Sequence, residues 1–136
     1  VMSNPIGDGA DALIEVFEKN DKLQTLLGLE EGVQVMAGVV IQPGTSIGRD
    51  SIINSGVIID HDCVILENCH LAPGVVCSGA VSIGGATHIG TGASIIQGIN
   101  IGGKSVIAAG TIIYKDVPAG MLVKQQLNIL VTREEE

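Results

Sequence analysis

The sequence predicts an all-β fold: a parallel β-helix of six-residue repeats that form three-sided coils. Apolar residues recur every six positions without a break, and small or β-branched residues follow each of them at a constant offset of four. The third observation is composition, because the 136-residue chain is 46% hydrophobic but only 1% aromatic and contains 19 glycines. A thin core of stacked Val, Ile and Ala suits these values, whereas an ordinary globular core would hold more aromatic residues.

The two series define the repeat. The larger apolar residues, in steps of six, are Val35, Ile41, Ile47, Ile53, Ile59, Ile65, Leu71, Cys77, Ile83, Ile89, Ile95, Ile101, Ile107 and Ile113. The smaller residues are Val39, Thr45, Ser51, Val57, Cys63, Cys69, Val75, Val81, Thr87, Ala93, Ile99, Ser105, Thr111 and Val117. A short β-branched segment forms a strand and a glycine-tolerant corner turns the chain, so both series point inward. Each unit is stable only when stacked on its neighbours.

The two ends of the chain depart from this repeat. The predicted division is a helical N-terminal segment at 1–32, the β-helix at 33–118 and a C-terminal tail at 119–136. Apolar residues at roughly helical spacing predict one or two helices between Asp11 and Leu27, ending at Gly28. We expect the last residues of the acidic tail to fray.

Composition also excludes several classes of function. A net charge of −8 argues against a nucleic-acid partner. No apolar run reaches the roughly 20 residues of a membrane span, and the opening residues do not form a signal peptide. Three cysteines cannot form a full disulfide framework, so a cytoplasmic location is expected. Since Cys63, Cys69 and Cys77 occupy inward positions, we predict that they are core residues rather than nucleophiles or metal ligands.

Outward-facing residues predict a homotrimer. Residues on one face recur every eighteen positions, which gives three columns: Val40, Ile58, Val76, Ser94 and Ile112; Ile52, His70, His88 and Val106; and Ser46, Val64, Ser82 and Asn100. Two columns carry large apolar residues and the third is mostly polar. Two apolar faces and one polar face suit a cyclic trimer, in which each subunit contacts two neighbours.

Three short motifs carry a family resemblance. They are Ile-Asn-Ser-Gly at 53–56, Asp-His-Asp-Cys-Val-Ile at 60–65 and His-Leu-Ala-Pro-Gly at 70–74. From about residue 32 to residue 118 the chain resembles a branch of hexapeptide-repeat acyltransferases. This branch contains the bacterial sialic-acid O-acetyltransferases and the UDP-4-amino-sugar N-acetyltransferases of surface-glycan synthesis. The resemblance implies a left-handed coil, against the usual right-handed crossover. It also implies acetyl-CoA as co-substrate and a sugar or nucleotide-sugar as acceptor.

The resemblance implies three catalytic residues. His61 would be the general base that takes a proton from the amine or hydroxyl of the acceptor, and Asp62 would orient it. Gly79, eighteen residues later and therefore one coil along, would offer its backbone N–H to the developing oxyanion. These roles suit acyl transfer from a thioester. Because a thioester is already activated, the enzyme needs to supply only a base with a pKa near neutrality and a donor to the oxyanion.

The resemblance also implies binding residues. Asn54 would help to shape the acceptor site, His70 would form a hydrogen bond near the thioester, and CoA would contact His70, Gly79 and Gly98. Relatives usually carry an N-terminal α/β domain that holds the sugar nucleotide. Fewer than forty residues precede the repeat here, so that domain is not expected in this chain.

Two other functions stay open. The β-helix could be a non-catalytic scaffold that stacks or assembles other components. It could also be a zinc-dependent hydratase of the γ-carbonic-anhydrase type, with His61, His70 and His88 near one interface. The spacing fits the zinc site poorly, since those enzymes place ligands on an inserted loop and this repeat has no insertion.

Overall fold

The computed structural model describes residues 27–125 and residue 132. Within these residues sixteen two-residue strands follow one another, separated by four-residue corners almost throughout. They are β1 (Gly28–Leu29), β2 (Gln34–Val35), β3 (Val40–Ile41), β4 (Ser46–Ile47), β5 (Ile52–Ile53), β6 (Ile58–Ile59), β7 (Val64–Ile65), β8 (His70–Leu71), β9 (Val76–Cys77), β10 (Ser82–Ile83), β11 (His88–Ile89), β12 (Ser94–Ile95), β13 (Asn100–Ile101), β14 (Val106–Ile107), β15 (Ile112–Ile113) and β16 (Leu122–Val123).

The strands form three parallel sheets, one on each side of a three-sided coil. Sheet A contains β1, β4, β7, β10 and β13; sheet B contains β2, β5, β8, β11, β14 and β16; sheet C contains β3, β6, β9, β12 and β15. From β1 to β15 each strand pairs with the strand eighteen residues away, as in Ser82 with Asn100 and His88 with His70. The predicted parallel β-helix of six-residue repeats is therefore confirmed, with about five coils.

The core is the axis of the coil. The second residue of most strands points inward, and Ile47, Ile53, Ile59 and Leu71 have no exposed surface. The small series is buried beside them, including the three cysteines that were predicted to be core residues. Removing the side chain of Val or Ile from water contributes about 1.5–3 kcal/mol, so the stack of coils supplies most of the stability.

The corners lie along three edges of the coil. The first is called the base edge because it carries His61, the predicted general base. It joins sheets C and A and contains the corners 42–45, 60–63, 78–81 and 96–99. The glycine edge joins sheets B and C and contains the corners 36–39, 54–57, 72–75, 90–93 and 108–111. The third edge joins sheets A and B. On all three edges the third of the four residues in each corner has a positive φ, a conformation that favours glycine.

The glycine edge differs from the other two. Each of its five corners has glycine at the positive-φ position, and none of its residues is charged. The base edge instead places Asp62 and Ala80 in this conformation, with φ values of 58° and 57°. Along the glycine edge the backbone is therefore open to close approach.

The repeat ends in a shortened coil. Val117 pairs with Ile101 and β16 pairs with β14, and both pairings join residues sixteen rather than eighteen positions apart. Val117, which the spacing assigns to the small inward series, therefore takes the place of a larger inward residue. The reason is that the chain turns with two residues fewer after β15, a slip that a constant period of six does not reveal.

The β-helix extends beyond both ends of the segment 33–118. Strand β1 precedes residue 33 and β16 follows residue 118, so parts of the predicted N-terminal segment and of the tail belong to the stack. The helices predicted between Asp11 and Leu27 lie outside the described residues, apart from Leu27 itself. Within the described residues, no helix has the length and apolar character needed to cross a membrane.

Candidate active site

His61 lies at the base edge, in the corner between β6 and β7. Its side chain is 54% exposed. The corner is held by polar contacts: the His61 N–H donates to Asp60 Oδ1 over 2.7 Å, and Thr45 Oγ1 donates to the Asp60 carbonyl oxygen over 3.0 Å. The Cys63 N–H donates in turn to Thr45 Oγ1 over 3.2 Å. An exposed imidazole is thus carried on a fixed backbone.

Asp62 lies within hydrogen-bond distance of this imidazole. Its Oδ2 lies 3.0 Å from Nδ1 of His61. With a carboxylate as acceptor, Nδ1 carries the proton and Nε2 keeps its lone pair, which is the tautomer that a general base needs. The pair is exposed to water, so its contribution to stability is small and its effect is one of orientation.

Gly79 lies directly against the imidazole, one coil along. A Cβ atom at this position would lie 2.7 Å from both Cε1 and Nε2 of His61, closer than real Cβ contacts allow. The corner is tied to the one before it, because the Ala80 N–H donates to the His61 carbonyl oxygen over 2.9 Å. Among the described residues the Gly79 N–H has no hydrogen-bond partner. The glycine that lies against the imidazole therefore carries an uncommitted backbone donor.

Gly98 continues the base edge by one further coil. Its N–H donates to the Gly79 carbonyl oxygen over 3.0 Å, and no atom lies within 4 Å of the position that its Cβ would take. Gly98 is exposed, whereas Gly79 is buried beneath the imidazole, so the open backbone of this edge begins at Gly98, next to the Gly79 corner.

A second cluster lies on the outer face of sheet B. The amide nitrogen of Asn54 is 3.2 Å from Nε2 of His70, and Asn54 Oδ1 accepts from the Ser55 N–H over 2.7 Å. Asn54 therefore donates to a neutral His70. Burial, and then the neighbouring His88, lower the pKa of His70, which favours this neutral form. The His70 and His88 rings are 4.9 Å apart in an edge-to-face arrangement, as expected for residues one coil apart.

The structure thus groups the predicted site residues into two clusters. His61, Asp62, Gly79 and Gly98 share the base edge, whereas Asn54 and His70 meet on sheet B, on another side of the coil. A cavity of about 310 Å³ lies elsewhere, at the last coil, and none of the predicted site residues lines it. No group of three or more potential metal ligands occurs among the described residues.

Thr45 and Asp60, which hold the His61 corner, are not among the site residues predicted from the sequence. The six-residue period places Thr45 in the small inward series, and Asp60 belongs to the 60–65 motif without a role of its own. The signal was present, because Thr45 is a hydroxyl residue at an inward position where a purely apolar residue would fill the same space. A hydroxyl buried there needs a partner, which the carbonyl oxygen of the next coil supplies.

Comparison with known sequences identifies the repeat. A family model described as "Bacterial transferase hexapeptide (six repeats)" matches residues 29–61 and 45–79. The YvoF protein of Bacillus subtilis (strain 168), named provisionally as an acetyltransferase, is 30% identical over 118 residues, covering 86% of this chain and 68% of that protein. The serine acetyltransferase of the same strain is 35% identical over 91 residues, covering 60% and 42%.

Solved structures of the same architecture hold the predicted co-substrate. The acetyltransferase domain of PglB from Neisseria gonorrhoeae FA1090, in complex with acetyl coenzyme A, matches with a TM-score of 0.55 and 25% identity, covering 84% of this chain and 62% of that chain. PerB from Caulobacter crescentus, in complex with CoA and GDP-perosamine, matches with a TM-score of 0.51 and 30% identity over the same shares. This chain therefore spans about three fifths of each of these two structures.

These similarities agree in enzyme class. The two relatives above are named as acetyltransferases, and the PglB and PerB structures contain acetyl-CoA and CoA, which supports the predicted acyltransferase class with acetyl-CoA as co-substrate. With its hexapeptide repeat and these relatives, the chain belongs to the bacterial hexapeptide-repeat transferase family.

Proposed function

We propose that this protein transfers the acetyl group of acetyl-CoA to an amine, or to a hydroxyl, of a sugar or nucleotide-sugar in surface-glycan synthesis. The observation that carries the proposal is the contact between His61 and Gly79. The side of the imidazole that bears Nε2 faces a glycine whose N–H is free, while Nδ1 is held by Asp62. A base and an oxyanion donor thus lie within one ligand's reach of each other.

The proposed reaction needs no covalent enzyme intermediate. Nε2 of His61 takes a proton from the acceptor as its nitrogen or oxygen attacks the thioester carbonyl carbon. The Gly79 N–H donates to the resulting oxyanion. When the carbon–sulfur bond breaks, the CoA thiolate leaves and receives the proton from the imidazolium, which returns His61 to its starting form.

The structural neighbours favour an amino-sugar acceptor. PerB was solved with GDP-perosamine, and a related structure is named a perosamine N-acetyltransferase. Serine acetyltransferases are also among the relatives, so the hydroxyl of serine is the second candidate. All three cysteines are buried and free, which supports a reducing, cytoplasmic setting for the reaction.

We propose that the site is completed in a homotrimer. The His61 cluster and the His70 cluster lie on different sides of one chain, so a ligand that touches both needs two subunits. Sheet C exposes Val40, Ile58 and Ile112, which form much of the apolar column predicted to be an interface. Burying such a face against the outer face of sheet B of a neighbour would bring His61 of one subunit toward His70 of the next.

The glycine edge supports the same arrangement. It is the edge at which sheets B and C meet, and its corners carry glycine at every positive-φ position and no charged residue. Three such edges can approach a common axis closely, without side chains or like charges between them. The charged corners, including the one with Asp60 and Asp62, then lie away from the axis, along the cleft between subunits.

A thiol-release assay tests the proposed activity. Incubation with acetyl-CoA and each acceptor in turn should release CoA with nucleotide-linked 4-amino sugars, such as GDP-perosamine or a UDP-4-amino sugar. Release with serine alone would assign the second candidate. If no acceptor from the panel of amino sugars, sialic acid and serine released CoA, the transferase proposal would fail and the scaffold would be favoured.

Mixing two inactive variants tests the shared site. His61→Ala and His70→Ala homotrimers should each turn over slowly. When the two chains are denatured, mixed in equal amounts and refolded, about a quarter of the interfaces should unite an intact His61 with an intact His70. Activity should therefore recover to about a quarter of the wild-type value. Recovery to no more than the mean of the two variants would show that both residues act within one subunit.

A further inference from the structure

The corners of the coil close in two different ways. In the corners of the glycine edge from residue 54 onward, the N–H of the fourth residue donates directly to the carbonyl oxygen of the first, as in Val57 to Asn54 over 3.3 Å. In several corners of the other two edges a hydroxyl or thiol from the previous coil is inserted between these two groups, although the corners 30–33 and 48–51 close directly as well. Ser51 Oγ, for example, donates to the Leu66 carbonyl oxygen over 3.0 Å and accepts from the Cys69 N–H over 3.0 Å.

The corner that contains Gly79 is of the second kind, and its inserted group is the thiol of Cys63. Cys63 Sγ donates to the carbonyl oxygen of Ser78 over 3.2 Å. Cys63 itself is completely buried, on the inner side of this corner. The thiol therefore holds the corner from the inside of the coil. Cys63 precedes Ser78, whose carbonyl it contacts, by fifteen residues.

The carbonyl of Ser78 and the N–H of Gly79 belong to one peptide group. The structure contains no cis peptide among the described residues, so this C=O and N–H point in opposite directions. Because the thiol fixes the carbonyl inward, the N–H is directed outward, where the imidazole of His61 lies against Gly79. One partly buried hydrogen bond thus sets the direction of the proposed oxyanion donor.

We propose that Cys63 is a positioning residue for acetyl transfer: its thiol orients and polarises the Ser78–Gly79 peptide so that the Gly79 N–H meets the thioester oxygen. The inference rests on the proposed function for its catalytic consequence, but not for the hydrogen bond itself. Burial raises the pKa of the Cys63 thiol, so the group stays protonated and able to donate at neutral pH. A hydrogen bond to the carbonyl oxygen also makes the N–H of the same peptide a stronger donor.

The chain offers a matched control for this role. Cys69 is also buried, and its thiol donates to the Gly84 carbonyl oxygen over the same 3.2 Å, but on the third edge, away from His61. Removal of either thiol should leave a similar small cavity and lose a similar hydrogen bond. Serine is the conservative replacement at 63, because Thr45 and Ser51 already make the equivalent contact with hydroxyls over 3.0 Å.

Kinetics of four proteins test the catalytic part. With acetyl-CoA and the acceptor found above, Cys63→Ala should lower kcat about tenfold, while KM for acetyl-CoA and the Kd of CoA stay within about twofold of wild type. CoA is the informative ligand, since it lacks the acetyl oxygen. Cys63→Ser should restore kcat, and Cys69→Ala should retain it despite a similar loss of thermal stability. Equal losses of kcat in Cys63→Ala and Cys69→Ala would reduce Cys63 to a packing residue and overturn the proposal.

Nuclear magnetic resonance tests the same contact without turnover. The pair Ser-Gly occurs only twice in the chain, at 55–56 and 78–79. Labelling serine with ¹³C at the carbonyl and glycine with ¹⁵N therefore gives two peptide signals, one of which is an internal control. Cys63→Ala should move the Gly79 nitrogen signal upfield and leave that of Gly56 in place, and Cys63→Ser should restore it.

Ligand additions to the labelled proteins complete the test. Acetyl-CoA should move the Gly79 amide proton downfield more than CoA does in wild type, and this difference should shrink in Cys63→Ala. If the Gly79 nitrogen signal did not move in Cys63→Ala, the inferred orientation of the Ser78–Gly79 peptide would be wrong, even if kcat fell as expected. If no acceptor released CoA but both shifts appeared, the transferase proposal would fail and the role of Cys63 toward a bound thioester would stand.

Discussion

Replacement of His61 by alanine is expected to lower kcat by about two to four orders of magnitude, the usual range for a lost general base. The acceptor then has no group to take its proton as it attacks the thioester. The effect should fall on kcat rather than on the Kd of CoA, because Nε2 is proposed to contact the reacting groups. The folded state should be little affected, since the His61 side chain is half exposed and its partner Asp62 is exposed as well.

Steady-state kinetics and thermal unfolding of the variant check this result. Arg49→Ala is a suitable control, because Arg49 holds the same place in its corner as His61 but lies on the third edge and is also exposed. Added imidazole should partly restore turnover in His61→Ala and have no effect on Arg49→Ala. Near-normal turnover of His61→Ala would contradict the proposed mechanism directly.

Replacement of Gly79 by alanine is expected to lower kcat by about a hundredfold. The new methyl group would overlap the imidazole of His61, since a Cβ there lies 2.7 Å from two of its ring atoms. A ring at the end of a side chain can move more easily than backbone, so the base should be displaced rather than the fold broken. The methyl group would also crowd the approach of the thioester to the Gly79 N–H.

Gly120→Ala is a control that should lose stability but keep its activity. Gly120 has a φ of 75° with open space around it, so alanine there should cost about 1 kcal/mol of stability through backbone strain and leave kcat unchanged. Gly79 lies outside the positive-φ set, so its alanine variant should keep its melting temperature and lose activity. A normal kcat in Gly79→Ala would show that Gly79 is not part of the active site. Unfolding of this variant would show that the His61 ring does not move aside to relieve the clash with the new methyl group.

The close contact between His61 and Gly79 could be expected from sequence, because eighteen residues make one coil and place both at the same edge. The grouping of Asn54 with His70 could not. Their sixteen-residue separation does not match the repeat, and their contact depends on the His70 side chain leaning along sheet B toward the next corner. The family resemblance implies a binding role for both residues, but it does not predict their hydrogen bond, because that depends on the direction of the two side chains.

The shortened last coil shows another limit. A constant period of six continues through Val117 in the sequence, yet the structure pairs Val117 with Ile101. Both residues are apolar and fit either inward series, so composition does not distinguish the two registers. Only the pairing of backbone groups between neighbouring coils decides between them.

The sequence by itself determined the parallel β-helix, its inward and outward columns and the edge on which His61 and Gly79 lie. These features follow from periodicity, because burial alternates along short strands and every third corner stacks in the same place. Only the tertiary structure decided which corners close directly and which close through a buried side chain. Inward Val, Thr and Cys fill similar space, so the pattern assigned Cys63 to the core, and it was the position of the Ser78 carbonyl that gave its thiol a partner.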